Sequence, residues 1–210
     1  MKNILLVGDS IRCTYDKSVK ASLEGVANVY FPDYNCKMAS FVLRYVTSFK
    51  KLIPEGEKVD LVHWNAGLWD TLCVMGDDPH TPIDHYAYYV DKICSRMKKV
   101  FPDAKVIFAT STSVVTERMS QNFRRYNSDI EKYNAVAVEI VKKHGFEVND
   151  LYAFSKTLPE EAHSDAVHYY TPIGTEAFSK RMLDVICKEL DIKQDIAYSE
   201  DMYTDEPEGI

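Results

Sequence analysis

Asn3-Ile4-Leu5-Leu6-Val7-Gly8-Asp9-Ser10 opens the chain with an unbroken apolar run that stops at a glycine and a polar pair. A run of this length with no polar alternation is the mark of a strand buried on both faces of a parallel sheet. Four later runs repeat the pattern. Residues 27–31 stop at Pro32, residues 59–64 follow the Pro54/Gly56 turn, residues 104–110 follow Pro102-Asp103, and a weaker strand covers about 146–149. Between them lie segments of helical period: 38–52, with Phe41, Tyr45, Phe49 and Leu52 on one stripe, then 82–100, 122–144 and 173–190. Pro82 suits a first turn, and Gly145 a C-terminal stop. Strands that alternate with helices predict a parallel sheet covered by helices on both faces.

Composition narrows the function classes. At 210 residues with 46% apolar content the chain can bury one core, and one domain over residues 1–192 is expected. A formal charge of −7 argues against a nucleic-acid partner, which needs clustered Lys and Arg. The basic pairs, Arg124–Arg125 among them, read as solvated helix faces. No stretch approaches the roughly 20 apolar residues that span a bilayer, and the N-terminal run is too short for a signal peptide. Five scattered cysteines without zinc-ligand spacing suit reduced thiols in a cytoplasmic protein, and the six histidines show no HExxH arrangement. Neither a metal nor a cofactor is expected. Residues 193–210 are acidic and aperiodic, and read as a tail. A homo-oligomer is compatible with the sequence.

In an open parallel sheet, ligands bind beyond the carboxyl ends of the strands. Three polar motifs fall there. Gly8-Asp9-Ser10 follows strand one; alone, the tripeptide is an ordinary turn. Asn65-Ala66-Gly67-Leu68-Trp69-Asp70 follows strand three, where Gly67 allows close backbone approach and Asn65 is either an amide donor to an oxyanion or a turn cap. Ser164-Asp165-Ala166-Val167-His168 precedes the last helix. A carboxylate three residues ahead of a histidine can reach Nδ1, fix the tautomer and leave Nε2 to take a proton from a serine. Acyl transfer needs a nucleophile, a base, a group that orients the base, and oxyanion donors. These loops supply candidates for each.

In this order of motifs, over about residues 1–190, the chain resembles the SGNH/GDSL hydrolase superfamily. The resemblance implies a three-layer α/β/α, flavodoxin-like fold with five parallel strands. It implies Ser10 as nucleophile, His168 as base and Asp165 as its partner. The family's oxyanion donors are the serine N–H, a glycine N–H after strand two and an asparagine after strand three. Here Pro32-Asp33-Tyr34-Asn35-Cys36-Lys37 lacks that glycine, so a backbone N–H of Asn35 or Cys36 is the expected substitute. Trp69 stands where the asparagine is expected, and Asn65 is the expected replacement.

Asp9, Asn35, Gly67, Trp69 and Tyr169 are then expected against the substrate, with Tyr34 and Trp64 also near the rim. The substrate is expected to be a small ester, an acetyl ester of a carbohydrate by the resemblance. Acyl transfer by the same triad, and a degenerate binding protein, remain open readings. Other classes fit worse. Gly8 and Asn65 break the acidic pair and phosphoacceptor of a receiver domain. GxGxxG, GxxxxGK[ST] and Gly-x-Ser-x-Gly are absent.

Overall fold

The computed structural model describes residues 1–192; the tail expected over 193–210 lies outside the described residues. The chain runs β1 (Lys2–Val7), α1 (Ser10–Cys13), α2 (Asp16–Ser22), β2 (Ala27–Tyr30) and α3 (Ala39–Phe49). It continues through β3 (Leu61–Asn65), β4 (Cys73–Val74), α4 (Ile83–Val100), β5 (Lys105–Ala109) and β6 (Phe123–Arg124). Last come α5 (Asn127–Lys143), β7 (Glu147–Asn149), α6 (Leu151–Ser155) and α7 (Pro172–Leu190). Five strands form one sheet in the order β2-β1-β3-β5-β7, and every pairing in it is parallel. This is the three-layer architecture expected from the alternation.

The pleat explains why β1 beyond Lys2, and all of β3, carry no solvent-exposed face. Leu5 and Val7 of β1, with Val62 and Trp64 of β3, pack beneath α3, α4 and α5. Ile4, Leu6 and Leu61 pack on the opposite face, under α2 and α7. Successive strand residues thus enter different cores, which is why the runs are continuous. Trp64 is fully buried against Phe108, with ring centroids 4.8 Å apart. It belongs to the core, not to a rim.

Most expected elements appear with ends shifted by one to a few residues. The exception is the segment expected as the start of a helix at 122. Phe123–Arg124 pairs antiparallel with Cys73–Val74 as a small separate ribbon, and α5 begins only at Asn127. Asn127 explains the delay. Its side chain accepts from the N–H of Val114 and donates to the same residue's carbonyl, tying the helix start to the chain after β5. The connection after β1 is also helical at once, because Asp9 caps α1 through the N–H of Ile11. Among the described residues no helix is long and apolar enough to cross a membrane.

The strand order reverses direction between β1 and β3, since β2 lies outside β1 while β5 and β7 lie beyond β3. Connections leave a crevice at such a point, at the carboxyl ends of the two strands. Gly8-Asp9-Ser10 and Asn65 both sit there. Behind them, α1 is held by a buried ion pair of Arg12 with Asp16, and Arg12 Nη2 donates to the Tyr34 carbonyl at 2.5 Å. The side chains of both partners are almost wholly buried. Asp16→Ala should therefore leave an uncompensated guanidinium and cost about 3–5 kcal/mol in urea unfolding. The Arg12→Leu/Asp16→Leu double variant should recover most of that loss; equal damage in both proteins would refute the account.

Candidate active site

Ser10 is the first residue of α1, and its placement starts with Asp9. The Asp9 carboxylate Oδ1 accepts from the N–H of Ile11 at 3.0 Å and from Asn65 Nδ2 at 2.8 Å. One oxygen thus caps the helix and ties the exit of β1 to the end of β3. Gly8 is required for that closeness, because a Cβ there would lie 1.8 Å from Asn65 Oδ1. Burial pushes the Asp9 carboxyl up, against the lowering effect of the Asn65 and Ile11 hydrogen bonds.

The Ser10 hydroxyl lies 2.9 Å from His168 Nε2. On the other side of the ring, Nδ1 lies 2.6 Å from Asp165 Oδ2. Asp165 Oδ1 also accepts from the N–H groups of Val167 and His168, at 2.6 and 2.8 Å, so the turn holds its own carboxylate. Burial would raise the Asp165 carboxyl. The His168 ring and the two backbone N–H groups outweigh it and hold the group well below the usual carboxylate range. The three residues form a continuous relay: carboxylate, imidazole, hydroxyl.

The loop that presents His168 is fixed from behind. Thr171 caps α7 by accepting from the N–H of Gly174 and donates to the Ala162 carbonyl. A Cβ at Gly174 would come within 2.4 Å of the Tyr169 carbonyl and 2.5 Å of the Ala162 carbonyl, so only glycine lets the loop sit this low. Tyr169 turns inward. It is fully buried, its hydroxyl donates to the Ser113 carbonyl, and its ring packs on Phe178. The expectation that it lines the substrate site is corrected by the alternation of an extended chain, which puts residues 168 and 170 on one side and 169 on the other. Tyr170 is the neighbour that serves the site. Its ring stacks on His168 with centroids 5.0 Å apart, and its hydroxyl donates to the Ser10 carbonyl at 2.8 Å.

Ser10 and His168 open on a cavity of about 270 Å³. Leu68, Leu72, Phe123 and Val167 give it an apolar lining, and Trp69 and Arg125 complete it. Of the residues expected against the substrate, Trp69 reaches this cavity; Asp9, Asn35, Gly67 and Tyr169 do not. Asp9 is spent on the helix cap. Asn35 accepts from the N–H of Lys37 in a tight turn. Gly67 has φ +140°, and a Cβ there would meet Ser111 Oγ at 2.7 Å and Tyr86 Oη at 2.8 Å. Tyr34 is exposed and packs edge-on against Phe41.

The expected oxyanion donors are also redistributed. The Cys36 N–H donates to the Gly8 carbonyl at 3.0 Å, so it is not a spare donor. Asn65 gives one amide hydrogen to Asp9. The N–H of Ser10, at the first helical position, has no partner within its own helix.

No sequence motif marks Arg125, Phe123 or Tyr170. Arg124–Arg125 reads as a solvated helix face only while the segment is taken as helical; with Phe123–Arg124 in the ribbon, Arg125 follows it and lines the cavity. A larger recess of about 700 Å³ lies beside α2 and β2, lined by Lys17, Lys20 and Tyr30 among others. It shares no residue with the Ser10 cavity and contains no nucleophile paired with a base, so size does not select it.

Comparison with solved structures now places the architecture. A lipase/acylhydrolase from Enterococcus faecalis superposes with a TM-score of 0.69 at 20% identity, over 94% of this chain and 100% of its own. A member of the lipolytic G-D-S-L family from Veillonella parvula gives 0.62 at 16% identity, over 90% and 100%. The fold is that of the SGNH/GDSL hydrolases. An acetyl xylan esterase shares the architecture of this chain, with a TM-score of 0.65 at 16% identity over 89% of this chain and 100% of its own. No family model and no curated protein matches the sequence. The SGNH/GDSL likeness is thus carried by the fold at identities where sequence comparison is silent.

Two expectations follow from the geometry. Asn65→Leu removes a donor from a buried carboxylate and should cost roughly 1–3 kcal/mol in urea unfolding, with a fall in any Ser10-dependent activity. A variant as stable as the parent would show that the Asp9–Asn65 bond does not tie the two strands together. Asp165 has a depressed folded-state value, so its contribution to stability is present above its ordinary value of about 3.9 and is lost as the pH falls through the folded value. Asp165→Asn should flatten the acid limb of a stability–pH curve below about pH 4; an unchanged limb would rule this out.

Proposed function

We propose that the chain is a carboxylic ester hydrolase that works through an acyl-enzyme on Ser10. The observation that carries this reading is the unbroken Asp165–His168–Ser10 relay, with contacts of 2.6 and 2.9 Å, at the mouth of a small apolar cavity. Support also comes from the fold, which the acylhydrolase of Enterococcus faecalis and the acetyl xylan esterase share. A small acyl group, acetyl above all, suits the size of the cavity, and Trp69 offers a face for a sugar ring.

The steps follow from the donors and acceptors in place. Ser10 Oγ attacks the ester carbonyl carbon as its proton passes to His168 Nε2. Asp165 holds the ring by Nδ1–H and stabilises the imidazolium that forms. The Ser10 N–H and the second amide hydrogen of Asn65 receive the negative oxygen. His168 then returns the proton to the departing alkoxide, and the acyl group stays on Ser10. Water attacks the acyl carbon, gives its proton to Nε2, and releases the carboxylic acid as Ser10 regains its hydrogen. An alcohol in place of that water would give acyl transfer by the same path.

A fluorophosphonate should label the protein once, on Ser10, and the protein should turn over para-nitrophenyl acetate. Ser10→Ala and His168→Ala should each abolish turnover without loss of fold, and Asp165→Asn should slow it roughly 10²–10⁴-fold. A folded protein that takes up no adduct and cleaves no aryl ester would refute the reading and leave a ligand-binding relic of the fold.

A further inference from the structure

Arg125 lines the same cavity as Ser10 and His168, and its position is over-determined. Its backbone N–H meets Met119 Sδ at 3.1 Å, and its carbonyl accepts from Thr116 Oγ1 at 2.9 Å. The side chain is fixed by Nε, which donates to the Leu68 carbonyl at 2.6 Å, and the guanidinium lies 5.9 Å from the centre of the Trp69 ring. One edge of the guanidinium is thereby used. The two Nη groups have no hydrogen-bond partner among the described residues, and no carboxylate lies within ion-pair distance of them. Arg12 and Arg118, by contrast, are each paired with an acid.

A guanidinium keeps its charge at any ordinary pH. Burial works against that charge, and the fields of Asp9 and Asp165 support it from a distance. Asp165 is already committed to His168. The apolar walls screen poorly, so an anion brought into the cavity would interact strongly with the free edge. A lone Nη pair matches the two oxygens of a carboxylate, and one negative charge balances one guanidinium. A phosphate dianion would leave an excess charge beside Asp9 and Asp165.

We propose that Arg125 makes this cavity selective for esters that carry a carboxylate, which its two Nη groups bind as a bidentate pair. This rests on the hydrolase reading, and names the substrate class for it. The carboxylate sits either on the acyl group or on the alcohol, and the two are separable by experiment.

The test compares matched esters. For the acyl side, para-nitrophenyl hydrogen succinate is set against para-nitrophenyl methyl succinate; for the alcohol side, para-acetoxybenzoate against its methyl ester. In one pair the wild-type kcat/KM should favour the charged member by about tenfold or more. Arg125→Gln should reduce that charged-to-neutral ratio by about the same factor, and Arg125→Lys should retain part of it. The ratio cancels any general damage from losing the Leu68 contact. A guanidinium that served the oxyanion instead would slow both members equally, and an unchanged ratio overturns the proposal. Should Arg125→Gln fail to fold, competitive inhibition of the wild type by benzoate but not benzamide supports the assignment, and equal inhibition overturns it.

Efficient turnover of neutral esters with no preference in either pair refutes the charge selectivity and leaves the hydrolase standing. No turnover of any ester refutes the hydrolase instead. Calorimetric titration of the wild-type protein with benzoate and with benzamide then decides the anion site by itself: selective benzoate binding supports it, and none overturns it.

Discussion

The Asp9 carboxylate is asked to do two things with one oxygen, and much of the site depends on it. It closes the first turn of α1, and it accepts from Asn65 at the end of the neighbouring central strand. Because the sheet order reverses between these strands, their connections diverge and leave a crevice at their carboxyl ends. The cost of burying a carboxylate is accepted at that point, and what it secures is direction: Ser10 emerges at the start of a helix, toward the crevice. Gly8, immediately before Asp9, is a steric condition of the contact with Asn65, not a matter of turn preference.

The second half of the site comes from far along the chain and is held by different means. His168 is not on a helix, and its loop has few regular hydrogen bonds to define it. Definition comes from the rear, through Tyr169 in the core, the Thr171 cap and the close approach at Gly174. The core face of the loop is pinned by these contacts, and alternation along the chain then places the site face. Asp165 needs no distant support, since its turn supplies two backbone donors.

The third contribution is the ribbon of β4 and β6, which brings Phe123 and Arg125 over the cavity. It differs in kind from the other two. The triad loops grow out of the central sheet, whereas the ribbon is a two-residue pairing between excursions that follow β3 and β5. What it contributes to the cavity is an apolar ring, from Phe123, and a guanidinium, from Arg125.

The sequence by itself determined the sheet, since continuous apolar runs need burial on both faces and only helices on both sides can provide it. It also made the Asp165–His168 pair legible, because the two residues share one turn and their spacing is a local matter. Ser10 was legible as the last residue of the Gly8-Asp9-Ser10 turn after a buried strand. The contacts between distant segments were not legible. The fold gives the Cys36 N–H to the Gly8 carbonyl and one of the two Asn65 amide hydrogens to Asp9. Tyr169 and Tyr170 differ by one position, and which of them faces the site is set by the direction in which the chain enters its loop. Arg125 looked solvated because its segment resembles a helix. Only the tertiary structure, by giving Asn127 to Val114 and Phe123–Arg124 to β4, delays that helix and turns the cation inward. Local pattern follows from periodicity within a few residues, while the fate of a donor, an aromatic ring or a charge depends on what the fold brings against it.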